Sequence, residues 1–262
     1  MASRRLDTSD SPTTMPRPAA SVASESPTAE QVRGILAWLE RRGTKRNREG
    51  MARYGISASK VFGVSMATMQ PLAKRLGRDH SLALALWDTG WYEARILTAF
   101  VDDPARVTAA QMDRWMRDFD NWAVCDTLCF KLFDRTPHAW RKVEQWSRRR
   151  DEFGKRASFA LLASLALHDR QSGDAPFRRS LALVERAASD KRNFVKKGVN
   201  WALRAVGERN QALHAVAIEV ARRLAESADP APRWVGKDAL RALTGPAVRQ
   251  RLARRATARR PV

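Results

Sequence analysis

The chain has 262 residues, is 44% hydrophobic and carries a formal net charge of +20. That length suffices for one good core or one extended repeat domain. No apolar run reaches the ~18 residues needed to span a bilayer, because arginine and lysine break every candidate stretch. Residues 246–262 contain Arg249, Arg251, Arg254, Arg255, Arg259 and Arg260 and no acid, a charge of +6. Residues 1–29 balance Arg4, Arg5 and Arg17 against Asp7, Asp10 and Glu25, which leaves +14 for residues 30–245. A folded body with that excess points to a polyanion, nucleic acid first; the plainer alternative is a solvated basic surface.

Residues 1–29 are rich in Ser, Thr, Pro and Ala and lack the apolar centre of a secretory signal, so they read as a disordered leader. Order is expected from Thr28, which has capping-box spacing to Gln31. Val32, Ile35, Leu36 and Leu39 then form the stripe of a helix ending near Gly43. A basic helix over 45–53 is broken by Gly55, and 56–64 reads as a loop with short turns. Helices follow over 65–76, 79–89 and 91–101, the first two stopped by Gly77 and Gly90. Another is opened by Thr108 and Gln111, one runs from Trp122 to about Phe133, and the next has Pro137 in its first turn. A longer helix covers 151–168. Gly173 and Pro176 mark a loop, and the last helices fall near 177–188, 194–206, 210–227, 233–243 and 246–256. Strand alternation is absent and β-branched residues are sparse. Helices of this length with short joints imply an all-α chain, either a solenoid of stacked antiparallel pairs or a compact helical bundle. The expected division is a leader (1–29), a repeat domain (30–245) and a basic C-terminal helix or tail (246–262).

Cys125 and Cys129 are the only cysteines. Four residues apart on one helix, they are poorly placed for a disulfide and too few for a structural zinc site, which suits a reducing compartment. No metal and no cofactor is expected. His80, His138, His168 and His214 are scattered, and no Ser-His-Asp or phosphate-loop pattern appears.

Three stretches carry candidate chemistry. In Asp120-Asn121-Trp122-Ala123-Val124-Cys125-Asp126, Asp120 or Asn121 is a suitable N-cap, and Trp122 and Asp126 then share a helix face. An aromatic beside a carboxylate suits the holding of a cation. In so basic a chain that carboxylate is either neutralised by a neighbour or kept for a task. In Asn193–Arg204, Lys197, Trp201 and Arg204 share a face opposite Val195, Val199, Ala202 and Val206, a pattern that suits a phosphate backbone with a sugar or base stacked nearby. Arg148–Arg150 reads as a solvated surface run. Arg156 is expected to face outward at the rim of a groove as a phosphate clamp.

Asp-Phe-Asp-Asn-Trp-Ala-Val-Cys-Asp (118–126) resembles the corresponding stretch of the DNA alkylation repair glycosylases built of HEAT-like repeats, the AlkD-like family. So do Lys155-Arg156-Ala157, the run from Phe194 to Arg204, and Lys237-Asp238-Ala239-Leu240. The resemblance covers about residues 30–245. It implies an α-solenoid whose basic concave face holds duplex DNA, acting as a monomer, cytoplasmic and nucleoid-associated. It also implies release of positively charged alkylated purines such as 3-methyladenine and 7-methylguanine, without base flipping. By the same resemblance Asp126 is the catalytic carboxylate, Trp122 and Trp201 press on the lesion sugar, and Arg156 holds the DNA backbone. Lys196, Lys197, Arg204 and Lys237 complete the expected DNA-binding set. Two rival readings are a non-catalytic helical-repeat module that binds DNA, and a protein–protein scaffold.

Overall fold

The computed structural model describes residues 26–257. Fourteen α-helices and one 3-10 turn make up its regular structure, and the described residues contain no strand. The helices are α1 (Pro27–Glu40), α2 (Lys45–Arg53), α3 (Met66–Leu76), α4 (His80–Asp88), α5 (Tyr92–Val101), α6 (Ala109–Arg117) and α7 (Trp122–Lys131). The 3-10 turn Phe133–Arg135 follows, then α8 (Ala139–Ser147), α9 (Glu152–His168), α10 (Asp174–Ala187), α11 (Asn193–Gly207), α12 (Gln211–Ala225), α13 (Pro230–Leu243) and α14 (Pro246–Thr257). The expected leader falls outside the described residues up to position 25, and the end of the tail after 257.

Local chemistry sets these boundaries. Thr44, Ser65, Asp79, Thr108, Asn121, Asp151 and Asn210 each cap a helix by accepting from a backbone amide three residues on. Two expectations need correction. Ser26, not Thr28, caps α1, with Pro27 at the first helical position. Pro176 lies inside the first turn of α10, not in a loop; the first amides of a helix have no partner, so proline costs nothing there. Pro137, by contrast, precedes α8 and is not part of it.

The helices stack in two rows. Along one, α3 packs on α5, α5 on α7, α7 on α9, α9 on α11 and α11 on α13. Along the other, α8 packs on α10 and α10 on α12, and α4, α8, α10 and α12 each lie against the helix that follows them in the chain. This is the helix-pair stacking of a solenoid. Helix α9 lies between α7 and α11, and its residues from Arg156 to Ala166 are all buried. Gly198 of α11 faces Arg156 and Phe159 of α9, where a Cβ would meet the Arg156 Cγ at 3.4 Å, an ordinary contact.

The core is rich in tryptophan. Trp87 and Trp115 stack at 4.4 Å between ring centroids, and Phe133 joins Trp115 to Trp146. Three indole nitrogens are satisfied by carboxylates of neighbouring elements, Trp87 by Asp118, Trp146 by Asp113 and Trp140 by Asp169, whereas the buried Trp115 Nε1 has no hydrogen-bond partner among the described residues. The long joint before α3 is anchored by Glu93, whose fully buried carboxylate accepts from the amides of Phe62, Gly63 and Val64 at 3.1, 2.7 and 3.1 Å. Gly63 has φ +84° there, and a Cβ would collide with the Thr44 carbonyl at 2.5 Å.

Helix α14 closes the stack. Val248 and Leu252 are buried. Arg251 pairs with Glu208 at 2.6 Å, and Arg255 donates to the carbonyls of Glu208 and Arg209 at the end of α11. Part of the expected basic tail is therefore a packed end-cap.

Candidate functional site

Asn121 opens α7, its Oδ1 accepting from the Val124 amide at 3.0 Å, and Asp120 in turn accepts from the Asn121 side chain. Capping fixes the helix phase, so Trp122, Asp126 and Phe130 project from one face at successive turns, about 12 Å from first to last at 1.5 Å per residue. All three are partly exposed.

Asp126 is neutralised by a neighbour. Arg156 donates from Nε to Oδ1 at 2.8 Å and from Nη2 to Oδ2 at 2.6 Å, a side-on bidentate pair. Its Nη1 donates to the Phe194 carbonyl at 2.7 Å, tying α7, α9 and α11 together. The expectation that Arg156 faces outward is therefore wrong: the residue is 7% exposed. Its place on the most enclosed helix forces the guanidinium inward, and a buried guanidinium needs its donors satisfied. Burial pushes the Asp126 carboxyl above its ordinary value, against the opposing charge and hydrogen bonds of Arg156. Burial also lowers Arg156, but the carboxylate raises it more, so the guanidinium stays charged. The carboxylate is the more open end of the pair, with its side chain 18% exposed against 8% for the arginine.

The aromatic residues frame this pair. Trp122 donates its indole N–H to the Tyr54 carbonyl at 2.9 Å, which pins the end of α2 beside the site. Tyr54 itself is 72% exposed. Trp201 on α11 is half-buried, and its ring lies 6.4 Å from Phe130 with 26° between planes. Phe130 also packs edge-on against His168 at 4.4 Å. Trp122 and Trp201 thus reach the Asp126 strip at different turns of α7, each with its own partner. Tyr54, Phe130 and His168 were missed by the sequence reading. Phe130 was within reach of it, one further turn along the face of Trp122 and Asp126; the other two depend on tertiary placement.

The expected DNA-binding cations are not equivalent. Lys197 and Lys237 are exposed. Lys196 lies over the Trp234 ring at 4.7 Å, a cation–π contact between α11 and α13. Arg204 is half-buried, and its Nε has no hydrogen-bond partner among the described residues. Val195, Val199, Ala202 and Val206 are buried, as their periodicity requires. Among the described residues no group of three or more His, Cys, Asp or Glu side chains is placed to hold a metal ion. No helix among them is long and apolar enough to cross a membrane.

A family model described as "DNA alkylation repair enzyme" matches residues 35–243. The chain belongs to the DNA alkylation repair enzyme family. Among solved structures this family member is similar to a protein described as belonging to "a new family of proteins related to the HEAT-like repeat DNA glycosylases with affinity for branched DNA structures". The TM-score is 0.68 and the identity 21%, over 84% of this chain and 95% of that one. The HEAT-like α-solenoid expected of the chain is thus its fold. A designed armadillo repeat protein in complex with the peptide (KR)4 is matched with a TM-score of 0.35 and 11% identity, over 73% of this chain and 81% of that one. No curated protein matches the chain.

Proposed function

We propose that this protein is a DNA glycosylase that removes positively charged alkylated purines, 3-methyladenine and 7-methylguanine, from duplex DNA by hydrolysing the N-glycosidic bond. The observation that carries the reading is the Asp126–Arg156 pair, framed by Trp122, Phe130 and Trp201 in a member of a DNA alkylation repair family.

An alkylated purine cation leaves as a neutral base, so its departure needs no general acid. The charge that develops lies on the sugar, as an oxocarbenium-like ion. A carboxylate stabilises it by charge and accepts a proton of the incoming water. Both Asp126 oxygens accept from Arg156, yet an ionised carboxylate has about four lone-pair positions, so two remain for the sugar face and for water. Arg156 acts as a positioning residue: it holds the carboxylate in one orientation before substrate arrives. Trp122 and Trp201 supply aromatic faces to the cationic sugar, worth about 0.5–2 kcal/mol each. One water enters, C1′ gains a hydroxyl, the neutral base departs and a proton passes to solvent. Lys196, Lys197, Arg204 and Lys237 hold phosphates along a basic face. The reaction needs no cofactor.

A second reading is a non-catalytic DNA-binding solenoid. It is favoured by the occupation of both Asp126 oxygens by Arg156, and by the described affinity of the structural neighbour for branched DNA. Incubation with methylated duplex DNA separates the two. A glycosylase releases free 7-methylguanine and 3-methyladenine and leaves abasic sites. A binder retains the DNA and releases nothing, and that result refutes the proposal.

A further inference from the structure

Arg148–Arg150 follows α8 as a run of three arginines, and the proposed reaction uses none of them. Their surroundings differ. Arg149 donates from Nε to Asp151 at 2.6 Å, and Arg150 lends its carbonyl to Arg192 at 2.6 Å. The Arg148 guanidinium has no hydrogen bond or ion pair among the described residues. It lines a cavity of about 330 Å³ together with Ser147, Lys155, Leu183, Arg186 and Ala187.

Three helices deliver cations to this one space. Arg148 ends α8, Arg186 lies in the last turn of α10 and Lys155 in the first turn of α9. No acidic side chain lines it. Arg186, like Arg148, has no ion pair or hydrogen bond from its guanidinium among the described residues. Lys155 is the anchored member. Its ammonium donates to Asp190 at 3.1 Å, but Asp190 already accepts from Arg192 on both oxygens, at 2.9 and 2.6 Å. One carboxylate thus serves two cations, and two of the three ammonium N–H groups remain for the cavity. The other acids close in sequence do not offset the excess: Asp151 holds Arg149, Glu185 holds Arg223, and Glu144, one turn before Arg148, is not among the lining residues.

A cation at a helix C-terminus is favourable by itself, which accounts for one arginine at the end of each of α8 and α10. It does not account for both sharing a space with Lys155. Like charges converging on one cavity repel each other, and an anion between them removes that cost. Guanidinium forks match phosphate oxygens, and the ammonium adds a compact third donor. Arg156, the next residue along α9, turns the opposite way, to α7 and α11. The cavity therefore lies across α9 from the Asp126 strip, a helix width of ~10 Å away, on the side of α8 and α10.

We propose that the cavity of Arg148, Lys155 and Arg186 is a binding site for a phosphate group, separate from the strip of Trp122, Asp126 and Trp201. Two sources carry this chemistry, a backbone phosphate of bound DNA and free phosphate, and the test separates them. The inference does not rest on base release.

The test compares wild type, the double variant Arg148→Gln/Arg186→Gln, and a control, Arg178→Gln/Arg179→Gln, which removes two exposed arginines of α10 that do not line the cavity. Lys155 is kept because it also holds Asp190. Thermal melts in phosphate-free buffer confirm that all three fold. In one arm, inorganic phosphate replaces chloride at equal ionic strength. Wild type and control melt at higher temperature, as binding to the folded state requires, and the double variant does not respond. In the other arm, binding of unmodified duplex DNA is followed by fluorescence anisotropy against salt. With DNA as the source, the salt slope of the double variant is lower than that of the control by about 0.9, one phosphate contact, and binding is about tenfold weaker. With free phosphate as the source, the slopes are equal and only the melting response is lost. A double variant that matches the control in both arms overturns the inference and leaves the glycosylase reading intact. A wild-type protein that does not bind duplex DNA overturns the glycosylase reading, and the phosphate arm then decides the site alone.

Discussion

Replacing Arg156 with methionine probes the joint on which the site depends. The substitution keeps an unbranched apolar stem but removes three hydrogen bonds, two to Asp126 and one to the Phe194 carbonyl. Removing one partner of a buried ion pair costs about 3–5 kcal/mol, because the other charge is left uncompensated. Both side chains are less than a fifth exposed, so solvent screening does little to reduce this. In a chain of this size 1 kcal/mol shifts the melting temperature by about 2–4 °C, so the variant should melt about 6–20 °C below wild type at neutral pH. The pH dependence is the sharper signature. Burial already raises the Asp126 carboxyl, and Arg156 opposes that rise. Without the guanidinium the folded-state pKa climbs further above the unfolded value. A raised carboxyl contributes stability that is present at low pH and lost as pH rises through the folded-state pKa. The deficit of Arg156→Met should therefore shrink on acidification and grow toward neutrality. Circular dichroism melts across an acid-to-neutral series measure it. A shift of under about 2 °C at neutral pH, or a deficit that does not change with pH, refutes the view that this pair is a buried, mutually dependent unit.

Three further outcomes are expected. Glu93→Ala leaves three buried amides without an acceptor and should cost about 3–9 kcal/mol at about 1–3 each, measured by urea unfolding; a loss below about 1 kcal/mol would show that Glu93 does not anchor the joint before α3. Arg192, then Lys155, hold Asp190 down to about 2 from an ordinary 3.8, a contribution present above the ordinary value and lost as pH falls through about 2. Asp190→Asn should accordingly flatten the acid limb of the melting curve, and identical limbs contradict this. Deletion of 246–262 removes the buried Val248 and Leu252, worth about 1.5–3 kcal/mol each, and should lower the melting temperature as well as the DNA salt slope. An unchanged melt would return the tail to a purely electrostatic role.

Much of the fold could be read in the sequence because its helix ends are written in short-range chemistry. Thr44, Ser65, Asp79, Thr108, Asn121 and Asp151 stand where capping requires them. Prolines misled where a first-turn position and a loop look alike, as at Pro176. At the site, the shared face of Trp122 and Asp126 followed from periodicity alone. The inward turn of Arg156 did not, because it depends on α9 lying between α7 and α11, a relation with no local signal. The same holds for Tyr54, brought to Trp122 across 68 positions by one hydrogen bond, and for the cavity that Arg148, Lys155 and Arg186 share, which exists only in the packed state. Of the two fates open to Asp126 in the sequence, the structure shows neutralisation, with one hydrogen bond from Arg156 to each carboxylate oxygen; its task belongs to the proposed function.

The central claim is that the Asp126 carboxylate stabilises the sugar cation during release of an alkylated base. Single-turnover release of 7-methylguanine from duplex DNA, with wild type and Asp126→Asn compared at saturating protein, tests it most directly. Asparagine retains one acceptor for Arg156 and the shape of the site but not the charge. The expected result is a rate lower by about 10²–10³-fold with DNA affinity preserved. Release at the wild-type rate by Asp126→Asn would contradict it.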